Sequence, residues 1–165
     1  MPEKKTLERA RQDARQGKSP STQAGEFVRE EMEHVREGKH GARSAKQAIA
    51  VGLSKARRAG VRLPPPKEGK APESTRKQAV RDYAQGQTSP GRVPSPTRSR
   101  AITAALQRED TKAASHLALS RQAHASARSR GTASLHQAAE KAVRTKGEAG
   151  LKQAAQKAAR TRARG

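Results

Sequence analysis

Cysteine is absent from this 165-residue chain, which excludes disulfides, zinc knuckles and thiol catalysis. Tryptophan is absent too, and Phe27 and Tyr83 are the only other aromatic residues. So few rings leave no stacking platform for bases, which argues against a dedicated single-strand binder. Large apolar side chains are scarce: Leu, Ile, Val and Phe together make up about 11% of the chain, well under the ~20% below which high net charge predicts disorder. No apolar run approaches the ~18 residues of a membrane span. The opening Met1-Pro2-Glu3-Lys4-Lys5 leads into no secretory segment. A cytoplasmic protein is therefore expected.

Acidic residues are outnumbered, 15 against 36 Lys and Arg, for a net charge of +21. A field of that size draws polyanions whatever the fold beneath it. Nucleic acid gains most from the contact, because each neutralised phosphate releases condensed counterions. Membrane surfaces are disfavoured, since the basic segments carry Ala where an interfacial helix needs Trp, Phe or Leu. The 31 alanines favour helix but bury little area each.

The expected fold is mostly α: a small N-terminal αα-hairpin, then a flexible chain of Ala-rich basic helices, largely disordered without a partner. Four regions follow: a basic segment 1–19, the amphipathic hairpin 20–63, a Pro/Ser-rich linker with one short helix 64–99, and an Ala/Lys/Arg-rich tail 100–165. Thr6 is the expected cap of a first segment stopping at Gly17. Ser19-Pro20 or Ser21 opens a helix whose apolar stripe is Ala24, Phe27, Val28, Met32 and Val35, closed by Gly38. Ser44 and Gln47 fit a capping box. The helix behind it puts Ala45, Ile49, Leu53 and Ala56 on one face and ends at Gly60, with Val61 and Leu63 folding back. Leu63-Pro64-Pro65-Pro66 marks a boundary, and Ser74 caps a short helix stopped by Gly86. Basic helices follow over 100–109, 111–130 (capped by Asp110), 135–146 and 151–162. Residues 138–145 return at 154–161, sixteen residues on.

The tail carries the functional expectation. Residues 120–165 hold 11 basic and 2 acidic side chains. A slim Ala helix lets Arg and Lys reach phosphate closely. The expected contacts are Arg121, Arg128, Arg130, Lys141, Arg144, Lys146, Lys152, Lys157, Arg160, Arg162 and Arg164. Two Ser-Pro turns, Ser89-Pro90-Gly91-Arg92 and Ser95-Pro96-Thr97-Arg98, add Arg92 and Arg98 as minor-groove candidates.

Other chemistry finds little support. The helix over 44–60 offers a recognition-helix reading, with Lys46, Lys55, Arg57 and Arg58 on phosphate and Gln47 at an adenine edge, but packing with incidental phosphate contact explains it better. Glu26, Glu30, Glu31, Glu33 and Glu37 form the only negative cluster, expected to pair with basic neighbours. His34 and His40 are six apart across a helix end, no recognised ligand spacing, and His116, His124 and His136 are scattered, so no metal is expected. No phosphate loop or nucleophile elbow appears, so no enzyme, no cofactor and no small-molecule substrate are expected.

Glu26-Phe27-Val28-Arg29-Glu30-Glu31-Met32, then Arg36-Glu37-Gly38-Lys39, then the Lys-Gln-Ala-Ile-Ala run within 44–60 resemble a family of small basic bacterial and phage-associated proteins of unknown function. The likeness covers roughly residues 20–63 and implies no activity or site residues. Where such relatives often carry an acidic residue before the closing Ala-Arg, this chain has Lys55. The Ala/Lys/Arg-rich extension resembles tails of bacterial proteins labelled DNA-binding and, more loosely, of linker histones. The combined reading is a non-catalytic, sequence-tolerant DNA-binding protein of the nucleoid, with RNA open as a partner. Its competitors are a hydrophilic stress protectant and an adaptor whose hairpin binds a protein.

Overall fold

The computed structural model describes residues 2–91 and 95–163. Among them are six α-helices and no strand: α1 (Lys4–Arg15), α2 (Pro20–Arg36), α3 (Ala45–Arg58), α4 (Glu73–Thr88), α5 (Pro96–Gln107) and α6 (His116–Arg162), with a 3-10 turn at Thr111–Ala114 before the last. The chain divides into two units, Met1–Ser120 and Arg121–Gly165. The proline run at 64–66 lies inside the first of them.

Glycine ends each of the first three helices in the same way. Gly17, Gly38 and Gly60 take positive φ (69°, 71° and 94°). The two amides at each end then fold back onto orphan carbonyls: Gly38 N–H donates to Val35 and Lys39 N–H to His34, with the same pattern at Lys18→Asp13 and Val61→Ala56. Ser19 caps α2 with Pro20 in its first turn, as expected. Ser44 caps α3, its Oγ accepting from Gln47 N–H, while Gln47 Oε1 accepts from Arg43 N–H. Thr6 does not cap α1. The helix starts three residues earlier, at Lys4 behind Glu3, and Thr6 is buried within it.

α2 and α3 pack as the antiparallel hairpin that the sequence implies: Val35, late in α2, shares a cluster with Ala48, early in α3, and Phe27 shares one with Ala56. The deepest face of α3 is Ala45, Ala48, Gly52 and Ala56, with Ile49 and Leu53 flanking it. Gly52 sits against the α2 backbone, where a Cβ would come within 2.7 Å of Val28 Cα. Val61 and Leu63 fold back on the Phe27 cluster together with Leu7 and Ala10 of α1.

The hairpin does not stand alone. α1 packs on α2, α4 on α3, and the 3-10 turn on both. Ala113 and Ala114 are core members beside Met32 and Val35. Gly86 does not stop α4; it lies within that helix, pressed against the Arg57 carbonyl where no Cβ fits. Gly41 is pressed against the Glu109 carbonyl in the same manner, and its N–H donates to Leu106 O.

The expectation of a largely disordered chain is therefore corrected. Among the described residues, alanine supplies nine of the thirteen buried apolar ones. Small side chains let helices approach closely, so dispersion contacts accumulate without large side chains. α6 is ordered differently. It has no buried residue and rests on the helix propensity of its alanines.

Candidate nucleic-acid interface

α6 is interrupted twice. Gly131 (φ 76°, ψ 164°) and Gly147 (φ 65°, ψ 176°) leave helical geometry, dividing it into segments 116–130, 132–146 and 148–162. Such backbone is essentially restricted to glycine. The interruptions are sixteen residues apart, the same offset as between 138–145 and 154–161, and they bring out a third, more divergent copy. Leu119, Leu135 and Leu151 correspond, as do Ala123, Ala139 and Ala155, then Arg128, Arg144 and Arg160, and finally Arg130, Lys146 and Arg162. Thr145 and Thr161 each donate a hydrogen bond to the carbonyl four residues back, Lys141 and Lys157. The first copy is hidden in the sequence because only its Leu, Ala and terminal basic positions match; the glycine geometry reveals it.

Each segment is a small amphipathic helix. The corresponding leucine and alanine lie on one side. Lys141 and Arg144, or Lys157 and Arg160, lie three residues apart on the other. Arg121 and Arg128 take that side in the first segment, spanning about 10 Å at 1.5 Å per residue.

Arg121, Arg128, Arg130, Lys141, Arg144, Lys146, Lys152, Lys157, Arg160 and Arg162 are all exposed. Among them, within the described residues, only Lys152 forms an ion pair, 3.1 Å from Glu148. Arg130 donates to the Ser126 carbonyl at 3.4 Å. Arg92 and Arg164 lie outside the described residues. Arg98 falls near the start of α5, and Ser95-Pro96 begins that helix, with Ser99 N–H donating to Ser95 O. The first Ser-Pro turn ends α4, and its Gly91 N–H donates to Arg58 O. Both Ser-Pro pairs thus serve chain geometry.

The first unit turns part of its charge inward. Arg57 is buried and donates to the Leu63 and Pro64 carbonyls, tying the chain reversal to α3. Burial pushes its pKa down, partly opposed by the charge of Asp82. Asp82, buried on α4, accepts from Ser54 Oγ at 2.6 Å and from Gln78 at 2.9 Å. α3 is therefore a packing helix. Glu26 pairs with Arg9 and Arg29, and Glu37 with Lys39. Lys55 reaches Glu30 and Glu31 together. Asp110 caps the 3-10 turn, and the Lys112 amide holds its carboxyl below the usual range.

One further cluster is invisible to sequence reasoning. Glu31, His34 and His40 bring their ligand-capable atoms within 4.8 Å of one another. Spacing along the chain hides this, because the Gly38 reversal returns His40 to the end of α2. Glu3, at the start of α1, reaches the same place: its Oε1 lies 2.9 Å from His34 Nε2 and 3.3 Å from Lys39 Nζ. The hydrogen bond to His34, then Lys39, holds the Glu3 carboxyl below its ordinary value.

Residues 15–68 match the model of a family of unknown function, DUF6496. The DUF6496 match spans α2, the Gly38 reversal, α3 and the folded-back Val61–Leu63, the stretch whose motifs point to such a family. It leaves α4, α5 and α6 unmatched. No curated protein and no solved structure matches the chain. No helix among the described residues is long and apolar enough to cross a membrane.

Proposed function

We propose that this is a non-catalytic protein that binds duplex DNA without strong base preference, through phosphate contacts made by the three repeated segments of α6. The observation that carries the reading is the sixteen-residue recurrence of exposed cations along α6, where nine of the ten described basic residues have no carboxylate partner. Unpaired cations on an exposed helix gain from a polyanion, because each phosphate they neutralise releases condensed counterions. Phosphate contact also admits structured RNA, and association with the bacterial nucleoid would follow from DNA binding. The adaptor reading gains less support, because the apolar faces of the hairpin already pack against α1, α4 and the 3-10 turn.

The test is a salt titration of binding to a short mixed-sequence duplex by fluorescence anisotropy. Full-length protein is compared with a variant carrying Gln at Arg128, Arg130, Arg144, Lys146, Arg160 and Arg162. The wild type should hold DNA near physiological salt. The log–log slope should shrink in the variant by about 0.9 for each phosphate that is no longer neutralised. Equal slopes, or collapse of wild-type binding at moderate salt, would rule out α6 as the interface.

A further inference from the structure

The residues around His40 carry an inference independent of DNA binding. His40 Nδ1 lies 3.1 Å from the Gly41 carbonyl. A carbonyl only accepts, so Nδ1 carries the proton and donates. In the neutral ring, Nε2 is then a bare lone pair, and it lies 3.3 Å from Oε1 of Glu31. Glu31 is a carboxylate with a side chain only 1% exposed, and the His40 side chain is 13% exposed. A proton on Nε2 or a metal ion held by both atoms would satisfy this pair, and the neighbouring imidazole favours the metal.

His34 brings a second imidazole. It stands three residues after Glu31 on α2, so both point to the same side of the helix. Its ring meets that of His40 edge to face, with centroids 5.9 Å apart. Glu3 holds His34 Nε2, the kind of carboxylate contact that orients an imidazole ligand and raises its basicity. The second oxygen of Glu31 is engaged by Lys55, which also faces Glu30 Oε1. Neither Glu30 Oε1 nor Glu31 Oε2 has a well-aligned hydrogen bond. Lys39, bound to Glu3 and Glu37, is the other cation nearby. The carboxylates Glu3, Glu30 and Glu31 thus outnumber the cations Lys39 and Lys55, even before Glu37 is counted.

We infer that Glu31, His34 and His40 form a zinc-binding site. Two imidazoles and one carboxylate suit Zn2+, a borderline ion that takes nitrogen and oxygen ligands in tetrahedral geometry. Bonds of about 2.0–2.1 Å put tetrahedral ligand atoms about 3.3 Å apart. Closing from 4.8 Å asks for side-chain adjustment rather than backbone rearrangement. The ion would fasten the Gly38 reversal to the end of α2, and through Glu3 to the start of α1. Lys55 leaves one oxygen of Glu31 free for the metal while neutralising the other.

Zinc titration of the metal-free full-length protein, followed by calorimetry, tests this. One equivalent should bind, and zinc should raise the thermal midpoint as a ligand selective for the folded state does. His34→Ala and His40→Ala should each weaken binding at least tenfold, with helicity retained by circular dichroism. Alanine at His116, His124 and His136 together should leave binding unchanged. In the wild type, zinc should shift two of the five imidazole NMR signals, those of His34 and His40, a readout that needs no variant to fold. Absence of zinc binding would overturn the site. So would binding undiminished in His34→Ala and His40→Ala, binding abolished by replacing the other three histidines, or unshifted His34 and His40 signals.

Discussion

At the scale of single residues, this protein shows how much an absent side chain can do. Gly52 has no Cβ, and the space a Cβ would fill belongs to the backbone of Val28. Gly52→Ala sets two effects against each other. Alanine gains about 1 kcal/mol of helix propensity, while forcing apart a packed helix pair costs typically 1–3 kcal/mol. A contact of 2.7 Å to main chain cannot be relieved by rotating a side chain. The clash should therefore win, and urea denaturation should show a net loss of up to about 2 kcal/mol. A variant as stable as the parent would mean that α2 and α3 do not pack this closely. Phe27 makes the complementary case. It is fully buried and is the largest such side chain. Phe27→Ala should cost about 3–5 kcal/mol and lower the thermal midpoint of the first unit far more than Gly52→Ala.

Among the elements, α6 stands apart because nothing is buried along it. Beyond Leu119, which packs on the core of the first unit, its course depends on local preferences, and the two strongest are the alanines that extend helix and the glycines that interrupt it. Gly131→Ala with Gly147→Ala should convert three segments into one continuous helix, since alanine rarely adopts φ near 70° and favours helix by about 1 kcal/mol per site. Circular dichroism should show more helix. Amide exchange should slow around both positions. Unchanged exchange there would indicate that contacts, not glycine, set the bends. The hairpin is governed otherwise. Its two glycine-terminated helix ends follow from sequence, but α4 and the 3-10 turn join it through contacts that no periodicity announces.

For the molecule as a whole, charge and packing divide the chain in different places. Charge rises after residue 66, whereas the first unit runs to Ser120. Ala79, Ala113 and Ala114 are buried within it, and Leu119 packs against the same core. A fragment of residues 1–66 should therefore lose cooperative thermal unfolding, while residues 1–120 should keep it. A 1–66 fragment that melts as sharply as 1–120 would restore the hairpin as an autonomous domain.

Much of the hairpin was legible because its signals are local. Serine caps, glycine ends and the stripe through Ala24, Phe27, Met32 and Val35 each need only a few neighbouring residues to be recognised. The exposed basic positions of α6 were legible for the same reason, as charge counted along one helix. The remainder depended on distance along the chain. Nothing near Gly86 shows that it must face the Arg57 carbonyl, and nothing near Gly41 points to Glu109. Glu3, Glu31, His34 and His40 meet only because the Gly38 reversal and the packing of α1 on α2 bring them together. Helix propensity and net charge are sums over neighbours, so the chain fixes them before it folds. Close approach of backbones, and the meeting of ionisable groups from three segments, exist only once the tertiary structure has formed.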